Sequence, residues 1–338
     1  MKKVSIVILN WNGEEMLRKF LPSVLVCSSA KDVEICVADN GSTDGSCRLL
    51  TEEFPTVRLI CLDQNYGFAE GYNRALAQVE AEYVVLLNSD VEVGPDWLKP
   101  LVAFMDAHPE VGACQPKILS QRNRDYFEYA GAAGGFIDRL GYPFCRGRIF
   151  DMVEKDEGQY DTPLSIFWAT GAALFIRQQL YREVGGLDGR FFAHMEEIDL
   201  CWRLRSRGYA IYCIPYSTVY HVGGATLKKE NPRKTFLNFR NNLLMLYKNL
   251  PQNELHVVMF WRFLLDWVAT IVFFLKFDFS AAKAVVRARK QYKRLRPRFE
   301  DDRKENLRLT KVTDIPERSH YSILWKNKVR GVSKYSQL

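Results

Sequence analysis

A chain of 338 residues with 47% hydrophobic content is long enough for one large domain plus an appendage, and its composition argues against wholesale disorder. The formal charge of +7 is unevenly spread: from residue 283 onward there are 17 Lys/Arg against 6 Asp/Glu, net +11, which leaves −4 for residues 1–282. Eight cysteines show no CxxC pair or other zinc spacing; several, such as Cys36 and Cys61, fall in apolar runs, read as small buried hydrophobes and suit a reducing cytosol.

Met1-Lys2-Lys3 leads directly into a strand-like run, without the apolar region of a signal peptide. The first half then alternates apolar β-branched runs with helical stretches. Strands are expected at 4–9, 33–38, 57–62 and 83–87, and helices at 14–26, 42–53 and 68–78. This spacing implies βαβ units and a mainly parallel sheet covered by helices on both faces. Residues 113–161 loosen into Gly, aromatic and Arg residues and read as loops and short elements at the sheet's edge. Order returns with a strand at 167–177, a helix ended by Gly185-Gly186, another from about Glu196 to Gly208, and short strands at 209–214 and 219–221. Beyond Arg233 the pattern is helical, at 236–250, 254–277 and 281–295.

Each of the first four strands ends in polar residues: Asn10 and Asn12, Asp39-Asn40, Asn65, and Asn88-Ser89-Asp90. Parallel strands share a direction, so all four groups reach one carboxyl edge, where open α/β sheets bind ligands. No GxGxxG follows the first strand, which disfavours a dinucleotide site. Asp90 is a hard anionic ligand suited to a divalent cation, which in turn suits a diphosphate. Asp39 can accept from a nucleobase imide or ribose hydroxyl, while Asp44 reads as a helix cap. Gly67 and Gly71 allow close approach of backbone to a ligand, flanked by Asn65 and Asn73. Phe68 and Tyr72 read equally as core.

These runs, in this order, resemble a family 2 glycosyltransferase of GT-A fold. The resemblance continues through Phe167-Trp168-Ala169-Thr170-Gly171-Ala172, residues 191–203 and His221, covers about residues 4–245, and points to the rhamnosyltransferase-like subgroup of bacterial surface-polysaccharide synthesis. It implies a nucleotide-diphospho-sugar donor held by Asn10, Asn12, Asp39, Asn65, Gly67, Asn73 and Ser89. It also implies Mg²⁺ or Mn²⁺ on Asp90 and His221. Asp90 matches the last position of the family's Asp-x-Asp-type motif, whose first position here is Asn88. The catalytic base falls on Glu197, where Glu replaces the usual Asp; Glu196 and Asp199 are the alternatives, as a helix-start acid and a partner for Arg203. Trp168 and Gly171 would floor the acceptor site, with a core Trp as the plain alternative. Arg240, in Phe239-Arg240-Asn241-Asn242, suits either the departing diphosphate or a salt bridge.

The expected organisation is therefore a GT-A domain at 1–250 and a helical, basic extension at 251–338. The longest apolar tract, 267–275, is too short to span a bilayer, and Arg262 and Asp266 also oppose spanning. Aromatics followed by a basic amphipathic helix suit an anionic membrane surface, peripheral to the inner face of the plasma membrane, where a lipid-linked or growing glycan acceptor would lie. Two rival readings are a nucleotidyltransferase, which lacks a basic loop after the first strand, and a nucleic-acid-binding protein, opposed by the negative balance of the site-bearing part. No nucleic acid is expected.

Overall fold

The computed structural model describes residues 1–223 and 231–338. Strand β1 (Lys2–Asn10), helix α1 (Glu14–Cys27), β2 (Val33–Asn40), α2 (Ser46–Glu53), β3 (Arg58–Leu62), α3 (Gly67–Leu76) and β4 (Ala81–Asn88) alternate as the sequence implies. The four strands pair with one another in parallel, in the order β4-β1-β2-β3. Asn10 lies opposite Asp39 and Leu9 opposite Asn88, so the polar strand ends form one row. Helix α2 begins later than expected because Asp44 accepts from the Ser46 N–H (3.1 Å) and hydroxyl (2.6 Å) and from the Glu14 N–H, which makes residues 41–45 a capping turn.

After β5 (Val91–Val93) and α4 (Leu98–Ala107) the sequence reading is corrected. Residues expected to loosen into loops begin instead with β6 (Val111–Ser120), a strand buried along nearly all its length. Its polar positions are paired: Gln115 Oε1 accepts from the Thr170 N–H, and Lys117 Nζ lies 2.6 Å from both Asp156 and Asp161. A small second sheet follows, built from β7 (Gly135–Asp138), β8 (Pro143–Cys145), β9 (Arg148–Ile149) and β10 (Met152–Val153). Then come β11 (Leu164–Ser165), β12 (Ala173–Arg177), α5 (Gln178–Glu183), α6 (Glu196–Ser206) and β13 (Ala210–His221). The strand expected at 167–177 is only its second half, and it runs antiparallel between β4 and β6. The two strands expected at 209–214 and 219–221 are one, irregular between Ile214 and Thr218.

Among the described residues the main sheet thus has nine strands, in the order β11-β13-β6-β12-β4-β1-β2-β3 with β5 beside β13. Since β6 and β13 are parallel to each other and β12 reverses once between β4 and β6, the ends of β1, β2, β4, β6 and β13 share one edge. One core lies between the sheet and α1, α2 and α4, where Ile6, Leu21, Leu50 and Met105 are buried. The other lies on the opposite face, where Tyr72, Leu76, Phe191 and Trp202 are buried. Cys36 is buried as expected, whereas Cys61 is exposed.

The chain ends in helices α7 (Pro232–Asn249), α8 (Gln252–Leu275), α9 (Phe279–Leu295) and α10 (Glu300–Leu309), then β14 (Arg318–Ser319), which joins β7, and α11 (Ile323–Lys328). Helix α7 starts four residues earlier than expected because Asn231 caps it and Pro232 occupies its first turn. Helix α8 has 24 residues and is long and apolar enough to cross a membrane, which corrects the expectation from the shorter tract. Its buried residues, Leu255, Val258, Arg262 and Asp266, form one stripe at helical spacing. Arg262 donates to the Leu140 carbonyl and to Asn242 and contacts Asp266, which also pairs with Arg289 of α9. The charged groups therefore face the body of the protein, and Trp261, Phe263, Trp267, Ile271, Phe274 and Leu275 face outward.

Candidate active site

The row of strand ends is built around Asp39. Its side chain is 2% exposed and accepts from Asn10 Nδ2 (3.0 Å) and the Ser42 N–H (2.9 Å). Asn10 Oδ1 is buried without a hydrogen-bond partner, and Gly13 gives it room, since a Cβ there would meet it at 2.3 Å. Asn12, at φ 49°, accepts from the Thr43 N–H at 2.8 Å, so it ties the β1 turn to the β2 turn. Ser89 lies on the same side of Gly13 as Asn10. Asn10, Asn12, Asp39 and Ser89 are thus brought together.

The next turn is organised by Asn40, which donates to the Gly67 carbonyl (3.0 Å) and to Asn65 Oδ1 (3.2 Å) and accepts from the Tyr66 N–H. Gly67, at φ +78°, makes its close approach to protein rather than to open space: a Cβ would stand 2.5 Å from the Phe192 ring. Gly71 is packed on Leu9 and Asn40 in the same way. Asn73 points elsewhere. It donates to the Leu187 carbonyl (2.7 Å) and accepts from the Tyr181 hydroxyl (2.6 Å) and the Leu187 N–H (3.0 Å), so its hydrogen bonds hold the loop after α5.

At the opposite end of the row, Asp90 and His221 meet. Strand β13 pairs with β5 so that His221 lies opposite Val91, which brings His221 Nε2 to 3.1 Å from Asp90 Oδ1. Asn88 Nδ2 is 3.4 Å from the same nitrogen. On the far side of the ring, His221 Nδ1 lies 3.4 Å from Glu128 Oε2, although without hydrogen-bond alignment. Gly223 leaves space for that carboxylate, since a Cβ there would stand 2.4 Å from Glu128 Oε1. Burial would depress the imidazole, but Asp90 and Glu128 push it up to about 10. Burial likewise opposes the charge on Asp90, and His221 more than offsets it, holding the carboxyl below its usual range.

The Asp90 carboxylate is a hard oxygen ligand that fits Mg²⁺ or Mn²⁺, and His221 Nε2 beside it would join the shell as neutral imidazole, giving up its ion pair with Asp90. No group of three His, Cys, Asp or Glu side chains placed to hold an ion occurs among the described residues. Two protein ligands are what Mg²⁺ commonly takes when substrate phosphates complete its shell.

Residues 191–195 lead into α6, whose first turn carries Glu196, Glu197 and Asp199. Asp199 is committed to structure, accepting from Arg203 (3.0 Å), Lys248 (2.8 Å) and Asn249 (2.7 Å). Glu196 is 3% exposed, and burial with the adjacent Glu197 pushes its carboxyl well up. Glu197 is raised to about 7 by burial, and its Oε2 has no partner. Gly171 connects this acid to the row: a Cβ there would stand 3.1 Å from Phe68 and 3.9 Å from Glu197 Cβ, and the adjacent Ala172 carbonyl accepts from the Asn88 N–H at 3.0 Å.

Trp168 is not part of this surface. Its indole is 4% exposed, donates to the Phe136 carbonyl (2.9 Å) and packs flat on Gly135, so it reads as core. Among the described residues Arg240 meets no carboxylate; it donates to the Phe191 carbonyl (2.9 Å) and to Asn241 Oδ1 (2.8 Å). Sequence reasoning missed Glu128 and Asn40 as organisers of the site. Asn40 was legible as the neighbour of Asp39 at a strand end; Glu128 sits in an irregular segment and carries no local signal.

A nine-stranded mixed sheet, helices on both faces and a carboxylate-lined edge at the strand ends define a GT-A glycosyltransferase fold. The chain belongs to glycosyl transferase family 2, whose family description matches residues 5–185. It is therefore a glycosyltransferase. Over 234 residues it is 29% identical to the N-acetylglucosaminyl-diphospho-decaprenol L-rhamnosyltransferase of Mycobacterium tuberculosis, covering 64% of this chain and 75% of that protein. Among solved structures it is similar to S. aureus TarS residues 1–349 in complex with UDP-GlcNAc (TM-score 0.58, 17% identity, 91% of this chain and 89% of that one). It is also similar to the mannosyltransferase PcManGT of Pyrobaculum calidifontis in complex with GDP-Man and Mn²⁺ (TM-score 0.52, 15% identity, 90% and 87%).

Proposed function

We propose that this enzyme transfers a sugar, with inversion, from a nucleotide-diphospho-sugar to a hydroxyl of a lipid-linked or growing surface-glycan acceptor. The observation that carries the reading is the Asp90–His221 pair at one end of the strand-end row, together with Glu197, whose Oε2 has no hydrogen-bond partner, beside Gly171. The rhamnosyltransferase of M. tuberculosis, whose name specifies a lipid diphosphate acceptor, supports the acceptor class.

In this reading Asp39, with Asn10, Asn12 and Ser89, holds the nucleoside, and Asn65 and Gly67 shape the adjoining turn. Asp90 and His221 would hold Mg²⁺ or Mn²⁺, which supplies Lewis-acid stabilisation of the leaving diphosphate. Glu197, poised near neutrality by burial, takes the proton from the acceptor hydroxyl as that oxygen attacks the anomeric carbon. The nucleoside diphosphate leaves from the opposite face, so no covalent enzyme intermediate forms. Gly171 keeps the acceptor side open beside Glu197; Asn73 and Trp168 support the architecture.

Residues 1–250 form the catalytic domain in this reading, and residues 251–338 an extension that seats it on the cytoplasmic face of an anionic membrane. The arrangement of α8 supports in-plane seating over spanning, because its charged stripe is locked against the body while its aromatics face outward. Exposed Lys283, Arg287, Lys290, Lys293 and Arg294 on the adjoining α9 suit anionic headgroups. Because these cations adjoin an apolar face, they favour a membrane over nucleic acid. The test is transfer from UDP-, dTDP- and GDP-sugars to a short-chain prenyl-diphospho-N-acetylglucosamine in the presence of Mn²⁺. The expected result is a glycosylated lipid with inverted anomeric configuration; retention, or no transfer from any donor, would overturn the proposal.

A further inference from the structure

The loop that delivers Glu197 is held in a conformation the chain does not favour. Phe192, His194 and Met195 have φ of 68°, 70° and 73°, a sparsely populated region for residues with a Cβ. Such a backbone persists only where its surroundings over-determine it, and here they do so from two sides.

On one side is α3. The Phe192 carbonyl accepts from the N–H groups of Phe68 (2.7 Å) and Ala69 (3.2 Å), and the Phe192 ring fills the space left by the missing side chain of Gly67. On the other side is Asn241 of α7, completely buried. Its Nδ2 donates to the carbonyls of Phe191 (2.9 Å), Ala193 (2.8 Å) and His194 (2.8 Å), two protons shared among three acceptors. Arg240 Nε donates to Asn241 Oδ1, which fixes the amide with its N–H groups toward the loop. The Met195 carbonyl then accepts from the Asp199 N–H and starts α6. A single side chain thus gathers three of the five carbonyls of residues 191–195, the segment immediately before Glu196-Glu197.

We infer that Asn241 is a positioning residue for the transfer step: by gathering these three carbonyls it sets where the Glu197 carboxylate stands. The inference rests on the reading of Glu197 as the base. Asn241 is fully buried and its amide is engaged by Arg240 and the loop carbonyls rather than by a residue of the strand-end row, so its loss should slow the chemical step and spare donor binding. The contact of α3 with the same loop makes the clamp two-sided, with the turn at Asn65 and Gly67 on one flank and the base on the other.

The experiment compares Asn241→Ala, and Asn241→Leu as a packing-preserving second variant, with Arg303→Ala. Arg303 donates to the Tyr247 and Leu250 carbonyls at the far end of α7, so its loss also strips buried carbonyls but leaves the base loop alone. The readouts are kcat and donor KM, Mn²⁺-dependent binding of UDP, dTDP and GDP, and amide hydrogen exchange of residues 192–198. For the Asn241 variants the expected result is a 10- to 100-fold loss of kcat, with donor KM and nucleotide binding within twofold and faster exchange confined to the loop. Arg303→Ala should lower thermal stability without either effect. Turnover within twofold of wild type in both Asn241 variants, or an equal kcat loss in Arg303→Ala, overturns the inference. Glu197→Gln run in parallel separates the two readings. If it stays active, the base assignment fails and the inference goes with it; if it is inactive while the Asn241 variants turn over normally, only the clamp fails.

Discussion

Replacing Glu197 by Gln is expected to abolish turnover and, at the same time, to stabilise the protein. Burial raises this carboxyl from an ordinary 4.5 to about 7. Because the folded-state value lies above the unfolded one, the fold disfavours ionisation. The destabilisation is absent below about pH 4.5, grows between 4.5 and 7, and is constant above 7. At 1.36 kcal/mol per pH unit the full effect is about 3 kcal/mol. Gln carries no charge at any pH and removes this effect. With an unfolding entropy of about 2.1 cal/mol/K per residue over this chain, the midpoint should rise by about 4 °C at pH 8. At pH 5 only about a quarter of it should remain, roughly 1 °C. Turnover should fall by about 10²- to 10⁴-fold, the usual contribution of a general base, and wild-type kcat/KM should fall tenfold per pH unit below about 7. Differential scanning calorimetry at the two pH values and steady-state nucleoside diphosphate release are the assays. A Gln variant within tenfold of wild-type turnover, or one equally stabilised at pH 5 and pH 8, would refute the reasoning.

Glu128→Gln should weaken Mn²⁺ binding by about 10- to 100-fold in calorimetry, since partners of a ligating imidazole tune its affinity on that scale; unchanged affinity would remove Glu128 from the site. Arg262→Ala should cost about 3 kcal/mol in urea unfolding, the low end for breaking a buried pair, because Asp266 keeps Arg289. A loss below about 1 kcal/mol would mean that the α8 stripe is not locked as described. The double variant Trp267→Glu/Phe274→Glu should no longer sediment with phosphatidylglycerol vesicles at low salt while still binding nucleotide; sedimentation equal to wild type would count against seating through α8.

The first four strands were legible because strands buried on both faces read as continuous apolar runs, and their polar ends marked the site's edge. Strand β6 was not, because Gly112, Gln115, Pro116 and Lys117 look like breakers until their partners are seen: Gln115 meets Thr170, and Lys117 meets Asp156 and Asp161. The antiparallel direction of β12 depends on how the chain returns, which no local pattern records. Asp39, Asp90 and His221 could be placed by motif, but their separation along the chain hides Glu128, whose role exists only through its distance to His221. Asn73 and Trp168 illustrate the reverse case. Polar and aromatic types that suit a ligand also suit a loop tie and a core wedge, and only the hydrogen bonds of Asn73 to Leu187 and of Trp168 to Phe136 decide between them. In α8 the shorter apolar tract hid a 24-residue apolar helix, because Arg262 and Asp266 read as interruptions until their burial against Asn242 and Arg289 is seen.

The central claim is that the strand-end row, anchored by Asp90 and His221, binds a nucleotide-diphospho-sugar through a divalent cation. Isothermal titration of UDP-, dTDP- and GDP-sugars tests it most directly, with and without Mn²⁺, on wild type and Asp90→Ala. One donor should bind wild type tightly only when Mn²⁺ is present and should lose that metal dependence in Asp90→Ala. Donor binding that is equally strong without metal, or unchanged by the substitution, would contradict it.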